Sequence, residues 1–266
     1  MDIDERNPRD LPRHRALFVV DMRDYSSAAD PSMEQVRKDI DDLLATAFAQ
    51  SGLSEEWQSP ELRNDTGDGF ILGLPTTRMW RLLDPLIENL DRVLYRYDQV
   101  RLASTPAVRL RVSVHLGPLP DSYRGSAIND LCRLVSSDQA SAALTIAVER
   151  RAFVALIISD EVFQVVVRQG RTERLDHRDF HKVIATVPCK NFEALAWVHA
   201  PRVGASAFES LSTPTNNDAV APRDTNATAS ATVNAAAPKY SIGHIGHFAE
   251  TSNAPVRIRM DVRGDQ

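Results

Sequence analysis

The chain has 266 residues, 43% of them apolar and 25% charged, and carries a net charge of −5. That balance supplies a real core and excludes a basic nucleic-acid binder. No apolar run approaches the ~20 residues of a membrane helix, and Cys132 and Cys189, without CxxC spacing, make neither a metal site nor a disulfide framework.

The first residues, MDIDERNPRDLPRHR, are charged and lack an apolar centre, so they do not read as a secretory leader, and the cytoplasm is the expected location. Residues 1–14 read as a solvated lead-in. ALFVV, Ala16 to Val20, is an apolar run of strand length ending at Asp21. Pro31 to Gln50 has helical spacing through Met33, Val36, Ile40, Leu43, Leu44 and Phe48, and Gly52 ends it. Glu56 to Arg63 is expected as a strand, and Phe70 to Leu72 enters a buried one. Thr76 to Val100 reads as one long amphipathic helix with Pro85 early in it or bending it. VRLRVSVHL, Val108 to Leu116, alternates as a half-buried strand does. Helices are expected from Ile128 to about Ser136 and from Gln139 to about Glu149. A strand follows at Phe153 to Ile158, then a short helix from Asp160 to Val167 capped by Ser159-Asp160. Strands at His181 to Val187 and Phe192 to Val198 close the series. This order predicts an α+β fold with a mixed, mainly antiparallel sheet flanked by helices, and not a doubly wound one.

After Arg202 the composition turns to Ala, Ser, Thr and Asn, so residues 203–238 read as a disordered linker. Residues 239–266 regain apolar residues as a short interaction segment, in which IGHIGHF suits strand addition to a protein partner or stacking with copies of itself, with plain disorder as the equal alternative. The HIGH tetrad, His244 to His247, matches a synthetase signature but has no nucleotide-binding fold around it and is read as a coincidence.

The chemistry concentrates in two stretches. NDTGDGFILGL, Asn64 to Leu74, sets Asp65 and Asp68 on a glycine-rich turn before an apolar strand. Asp-Gly is a favoured hairpin dipeptide, so both aspartates have a plain turn reading. If the strands ending near Asp21 and beginning near Asp68 are neighbours, two carboxylates converge at one sheet end, which a divalent cation would relieve. Gly67 and Gly69 let the turn bend and a ligand approach. In YRGSAINDLCRL, Tyr123 to Leu134, Asn129 and Arg133 stand four apart on one helix face, an amide and a guanidinium able to grip ribose and phosphate. Cys132 between them reads as packing. His115 reads as a core or rim histidine, and Trp57, Trp80 and Trp197 as core or interface.

Taken in order, FVVDMRDYSS, NDTGDGFILGL, VSVHLGPL, GSAINDLCR and ALIISDEVF resemble the class III nucleotidyl cyclase catalytic domain, over about residues 15–202. The resemblance implies a ferredoxin-like cyclase fold and a homodimer acting on a nucleoside triphosphate with two Mg²⁺ or Mn²⁺ per site. It implies metal binding by Asp21 and Asp68 with the carbonyl of Met22. Arg23, Asp24, Tyr25 and Ser26 would cover the triphosphate with backbone amides. Asn129 and Arg133, from the partner chain, would stabilise the transition state, and Lys190 would contact phosphate. The base-reading positions depart from the family: a lysine is replaced by Asn64 and an acidic residue by Ser122, with Asp121 adjacent. The base is therefore open, guanine or a pyrimidine, with antiphage cyclases making cyclic UMP or cyclic CMP as plausible relatives. The alternative is a catalytically silent module that binds a nucleotide or adaptor and signals through its tail.

Overall fold

Five consecutive apolar residues predict a strand covered on both faces, and β1 (His14–Met22) is one, buried from Arg15 to Val20. The computed structural model describes residues 10–25, 30–67, 69–102 and 105–212. All belong to the first of two units, residues 1–224; the second, 225–266, lies outside them, and so does the expected tail segment.

After β1 come α1 (Asp30–Gln50), α2 (Ser54–Gln58), β2 (Leu62–Asp65) and β3 (Gly69–Leu74). A 3₁₀ turn (Thr76–Leu82) leads to α3 (Leu86–Val100), then β4 (Leu110–Pro118), α4 (Ser126–Val135), α5 (Asp138–Glu149) and β5 (Val154–Ser159). The short α6 (Asp160–Val162) continues as a π turn (Phe163–Val167), and β6 (His181–Val187) and β7 (Phe192–His199) complete one sheet. Its order is β2-β3-β1-β4-β5-β7-β6, antiparallel throughout except for the β4–β5 pair. This is the mixed, mainly antiparallel α+β sheet that the element order predicts.

Side chains alternate across a strand, so β1 feeds two cores. Ala16, Phe18, Val20 and Met22 join residues of α1 and α3 in the larger one. Leu17 and Val19 pack beneath Ala127, Leu131 and Val135 of α4. A third cluster gathers α5 with β5, β6 and β7.

Three expectations need correction. The strand expected at 56–63 is the helix α2 followed by β2, because Trp57 packs between Phe48 of α1 and Phe70 of β3 rather than pairing as a strand residue. The single helix expected over 76–100 is a 3₁₀ turn and then α3, with Pro85 at the N-cap; proline has no N–H to continue the ladder. The domain does not end at residue 202. Ala205–Ser212 forms a 3₁₀ turn, and Phe208, fully buried, inserts into the α5 cluster. One aromatic anchors a segment whose composition reads as linker. Ser159 does stand at the N-cap of α6, but its hydroxyl makes no capping bond.

Candidate active site

Asp21 lies near the end of β1, in register with Gly69 of β3 on one side and Arg111 of β4 on the other. Register partners share a face, so Asp21 and Arg111 both lie on the α4/α5 side of the sheet. Arg111 Nε donates to Asp21 Oδ2 at 2.7 Å, its Nη2 donates to the same oxygen, and its Nη1 donates to Ser141 Oγ of α5 at 2.8 Å. The pair is about four-fifths buried, so it is less screened than a surface ion pair. Sequence alternation assigned Arg111 to a solvent face. The sheet is covered on both sides, so the charge needed a partner, and that was the signal missed. Arg109 likewise lies over the Phe153 ring at 4.1 Å.

The turn before β3 is clamped from α1. Arg37 donates through Nη1 to the carbonyls of Gly67 (3.2 Å) and Gly69 (2.8 Å) and through Nη2 to Asp65 Oδ2 (2.8 Å). Asp65 Oδ1 accepts from the Gly67 amide at 2.8 Å, so Asp65 is a turn residue, as its plain reading has it. Gly67 has φ +89°, which bends the turn. At Gly69 it is not a ligand that approaches: a Cβ there would sit 1.8 Å from the Val20 carbonyl oxygen of β1. Asp68 itself lies outside the described residues.

Beyond Asp21, the Met22 side chain is buried in the core, which leaves only its backbone to serve a site. The Arg23 amide donates to the Arg109 carbonyl at 2.9 Å and so extends the β1–β4 pairing; amide cover of a ligand would fall to later residues of the loop. The Arg23 side chain reaches Thr145 Oγ1 of α5 (3.3 Å) and Asp24 (3.4 Å). Asp24 is exposed with φ +59°, and Tyr25 packs against the core with its hydroxyl donating to the Met33 carbonyl at 3.4 Å. Ser26 lies outside the described residues.

On α4, Ala127, Leu131, Leu134 and Val135 are buried, which turns Asn129 and Arg133 outward together at 3.6 residues per turn. Arg133 lies 5.5 Å from the Phe192 ring and 3.4 Å from Asp130. Lys190, on the β6–β7 turn, is exposed, and its charge acts on the Cys132 thiol. Burial pushes that thiol up from its ordinary value, with Lys190 opposing, so it stays protonated and unreactive. The Asp21 group is thus tied to β4 and α5, and the Arg133 group to the β6–β7 turn.

The two positions expected from the resemblance to read a base are both exposed, Asn64 on β2 in register with Ile71 and Ser122 in the turn before α4. Sequence reasoning missed what joins their elements. Arg15 of β1 donates to Asp121 Oδ1 at 2.8 Å and pairs with Glu61 beside β2, while its guanidinium lies 5.7 Å from the Tyr123 ring. His115 is buried, with its Nδ1 3.9 Å from Glu161 Oε2; burial holds its pKa below the ordinary value against the pull of Glu161 and Asp130. It is a core histidine. The hydroxyls of Ser113 and Ser159 are buried on the same face without a hydrogen-bond partner among the described residues.

Among the described residues no three His, Cys, Asp or Glu side chains converge as a metal site, and no helix is long and apolar enough to cross a membrane. The donors at the end of β1 are oxygens, the Asp21 carboxylate and the Met22 carbonyl. Hard oxygen donors of this kind suit Mg²⁺ or Mn²⁺.

No protein-family model matches the chain, and no curated protein does. The solved structures it resembles are catalytic domains of class III adenylyl and guanylyl cyclases. One is the catalytic core of a rhodopsin-guanylyl cyclase with converted specificity in complex with ATPalphaS: 13% identity, TM-score 0.47, 72% of this chain and 98% of that one. Another is the guanylate cyclase domain of RhGC from Catenaria anguillulae in complex with GTP: 14% identity, TM-score 0.46, 72% and 98%. A third is the adenylyl cyclase CyaB from P. aeruginosa: 9% identity, TM-score 0.42, 70% and 94%.

Proposed function

We propose that this chain is a metal-dependent nucleotidyl cyclase. It converts a nucleoside triphosphate to the 3′,5′-cyclic monophosphate and pyrophosphate, as a head-to-tail homodimer. The observation that carries the reading is the Asp21–Arg111 pair at the end of β1, facing Gly69, the residue after Asp68. An acidic position beside a guanidinium is where a cation and a triphosphate could be taken up together: Asp21 would hold the cation, and Arg111 would offer its donors to phosphate.

Asp21, the Met22 carbonyl and Asp68 would hold the divalent ions, which neutralise phosphate charge and lower the pKa of the attacking hydroxyl. The substrate 3′-oxygen forms a bond to the α-phosphorus, the bond to the bridging oxygen of the β-phosphate breaks, and the hydroxyl proton leaves to solvent. Arg133 donates to the phosphoryl oxygens as charge gathers there, Asn129 orients the ribose, and Lys190 meets the leaving pyrophosphate. In this reading the site is assembled from two head-to-tail chains, one giving Asp21 and Asp68 and its partner Asn129 and Arg133. Asn64 and Ser122 each offer both donor and acceptor, so they fit guanine or a pyrimidine; a pyrimidine product would fit an antiphage signalling role in the cytoplasm.

One observation favours the silent module instead: Arg111 already satisfies Asp21. A complementation experiment tests the two-chain reading. Asp21→Ala and Arg133→Ala chains should each be inactive, and a one-to-one mixture should recover about a quarter of wild-type turnover, since half the dimers carry one intact site of two. A mixture as inactive as its parts would contradict it.

A further inference from the structure

The α1/α3 side of the sheet, opposite Asp21 and Arg133, carries a cavity of about 320 Å³ between α3, the loop at 173–175 and residues 201–204. That volume is at the lower end of small-molecule sites. Leu83, Leu175, Pro201 and Val203 give it apolar walls. His199 lines it and is 6% exposed. Its Nδ1 lies 2.9 Å from the Asp179 carbonyl oxygen, which only accepts, so Nδ1 carries the proton and Nε2 is the acceptor left for the cavity. The imidazole is steadied by the Phe180 ring, 5.2 Å away.

The charged rim is not evenly committed. Glu88 uses one oxygen for Arg92 (2.7 Å) and the other for Arg174 (3.0 Å). Asp84 Oδ2 accepts from the amides of Glu173, Arg174 and Leu175, and Asp179 Oδ2 from that of Asp176. The carboxylates are occupied by the fold. The Arg174 guanidinium, more than half exposed, engages Glu88 through one nitrogen and keeps donors for a further acceptor. Arg202 closes the rim from the other side, bridging to buried Asp91 at 2.7 Å.

We propose that this cavity is a binding site for a small organic anion, separate from the candidate active site. One phosphate or carboxylate sits at the Arg174 rim. A compact planar body lies against Leu83, Leu175 and Val203 and donates an N–H or O–H to His199 Nε2. An occupant joins α3, the 173–175 loop and the Pro201–Gly204 segment that leads into the 3₁₀ turn anchored by Phe208. The inference stands whether or not the chain is a cyclase.

Isothermal titration of the full chain with uridine 5′-monophosphate, 4-hydroxybenzoate and uridine tests it; the first two separate a phosphate from a carboxylate source. At least one of the two anions should bind one-to-one with a submillimolar Kd, and uridine should bind at least about tenfold more weakly. Arg174→Glu should weaken binding by about tenfold or more. Gly204→Leu should do the same by filling the mouth; its Cβ would meet nothing nearer than Ser206 Oγ at 3.9 Å, so the backbone there has room for a side chain. Asp21→Ala should leave binding unchanged. Absence of saturable binding by either anion overturns the proposal. So does binding that survives both cavity variants, or uridine binding as tightly as the anions.

Discussion

Asp21 and Arg111 occupy facing positions on adjacent strands, and each accounts for the other's charge beside the apolar centre of the sheet. Removing either would leave a largely buried charge unpaired, so the pair is held as a unit. The neighbouring glycine is constrained by backbone rather than by ligand. Gly69→Ala drives a methyl into the Val20 carbonyl, and we expect it to cost roughly 3 kcal/mol or more. Gly67→Ala meets no atom within 4 Å and suffers only its φ of +89°, so it should cost about 1 kcal/mol. Urea denaturation of the two variants checks the order; equal losses would contradict the packing described for β1 and β3.

At the scale of elements, the periodic segments were legible and the breaks were not. Met33 to Phe48 reads as α1 because its apolar spacing has one solution, and ALFVV reads as a buried strand for the same reason. Residues 76–100 keep helical spacing across Pro85, so periodicity alone could not show that the chain turns there. What secures the turn is non-local. Asp84, 3% exposed, accepts three amides from residues 173–175, almost ninety positions away in the chain. Asp84→Ala strands those donors and should cost about 2–4 kcal/mol by urea denaturation, with faster amide exchange confined to that loop. Unchanged exchange at 173–175 would show that the loop holds itself. Asn129 and Arg133 were legible as an i, i+4 pair, whereas Arg15 and Arg37 were not, since their partners lie 106 and up to 32 residues away.

Among the described residues, both faces of the central strands β1, β3, β4 and β5 are covered, and this helps to bury histidines. Burial depresses the pKa of His115 and His199 below the ordinary value of 6.5; Glu161 and Asp130 oppose it at the first, the Asp179 carbonyl with the Asp179 and Asp84 charges at the second. Above pH 6.5 these side chains are neutral folded or unfolded. As pH falls below it, the unfolded chain takes up protons that the folded chain resists, so stability drops until the folded-state pKa values are passed. Urea midpoints at pH 7.5 and 5.5 should differ in that direction, and His115→Asn with His199→Asn should flatten the difference. A midpoint that rises on acidification would contradict it. The same packing demand explains why the fold continues past residue 202: the α5 cluster needs Phe208 to close it, a demand that composition does not carry.

We propose that this chain cyclises a nucleoside triphosphate. The most direct test is incubation of the purified chain with ATP, GTP, CTP and UTP in Mn²⁺, followed by mass spectrometry of the products, with Asp21→Ala and Asp68→Ala alongside. We expect one dominant 3′,5′-cyclic monophosphate, abolished in both variants, and its base will show what Asn64 and Ser122 read. No cyclic product from any of the four, with the protein folded and dimeric, would contradict the account and leave the silent nucleotide-binding module.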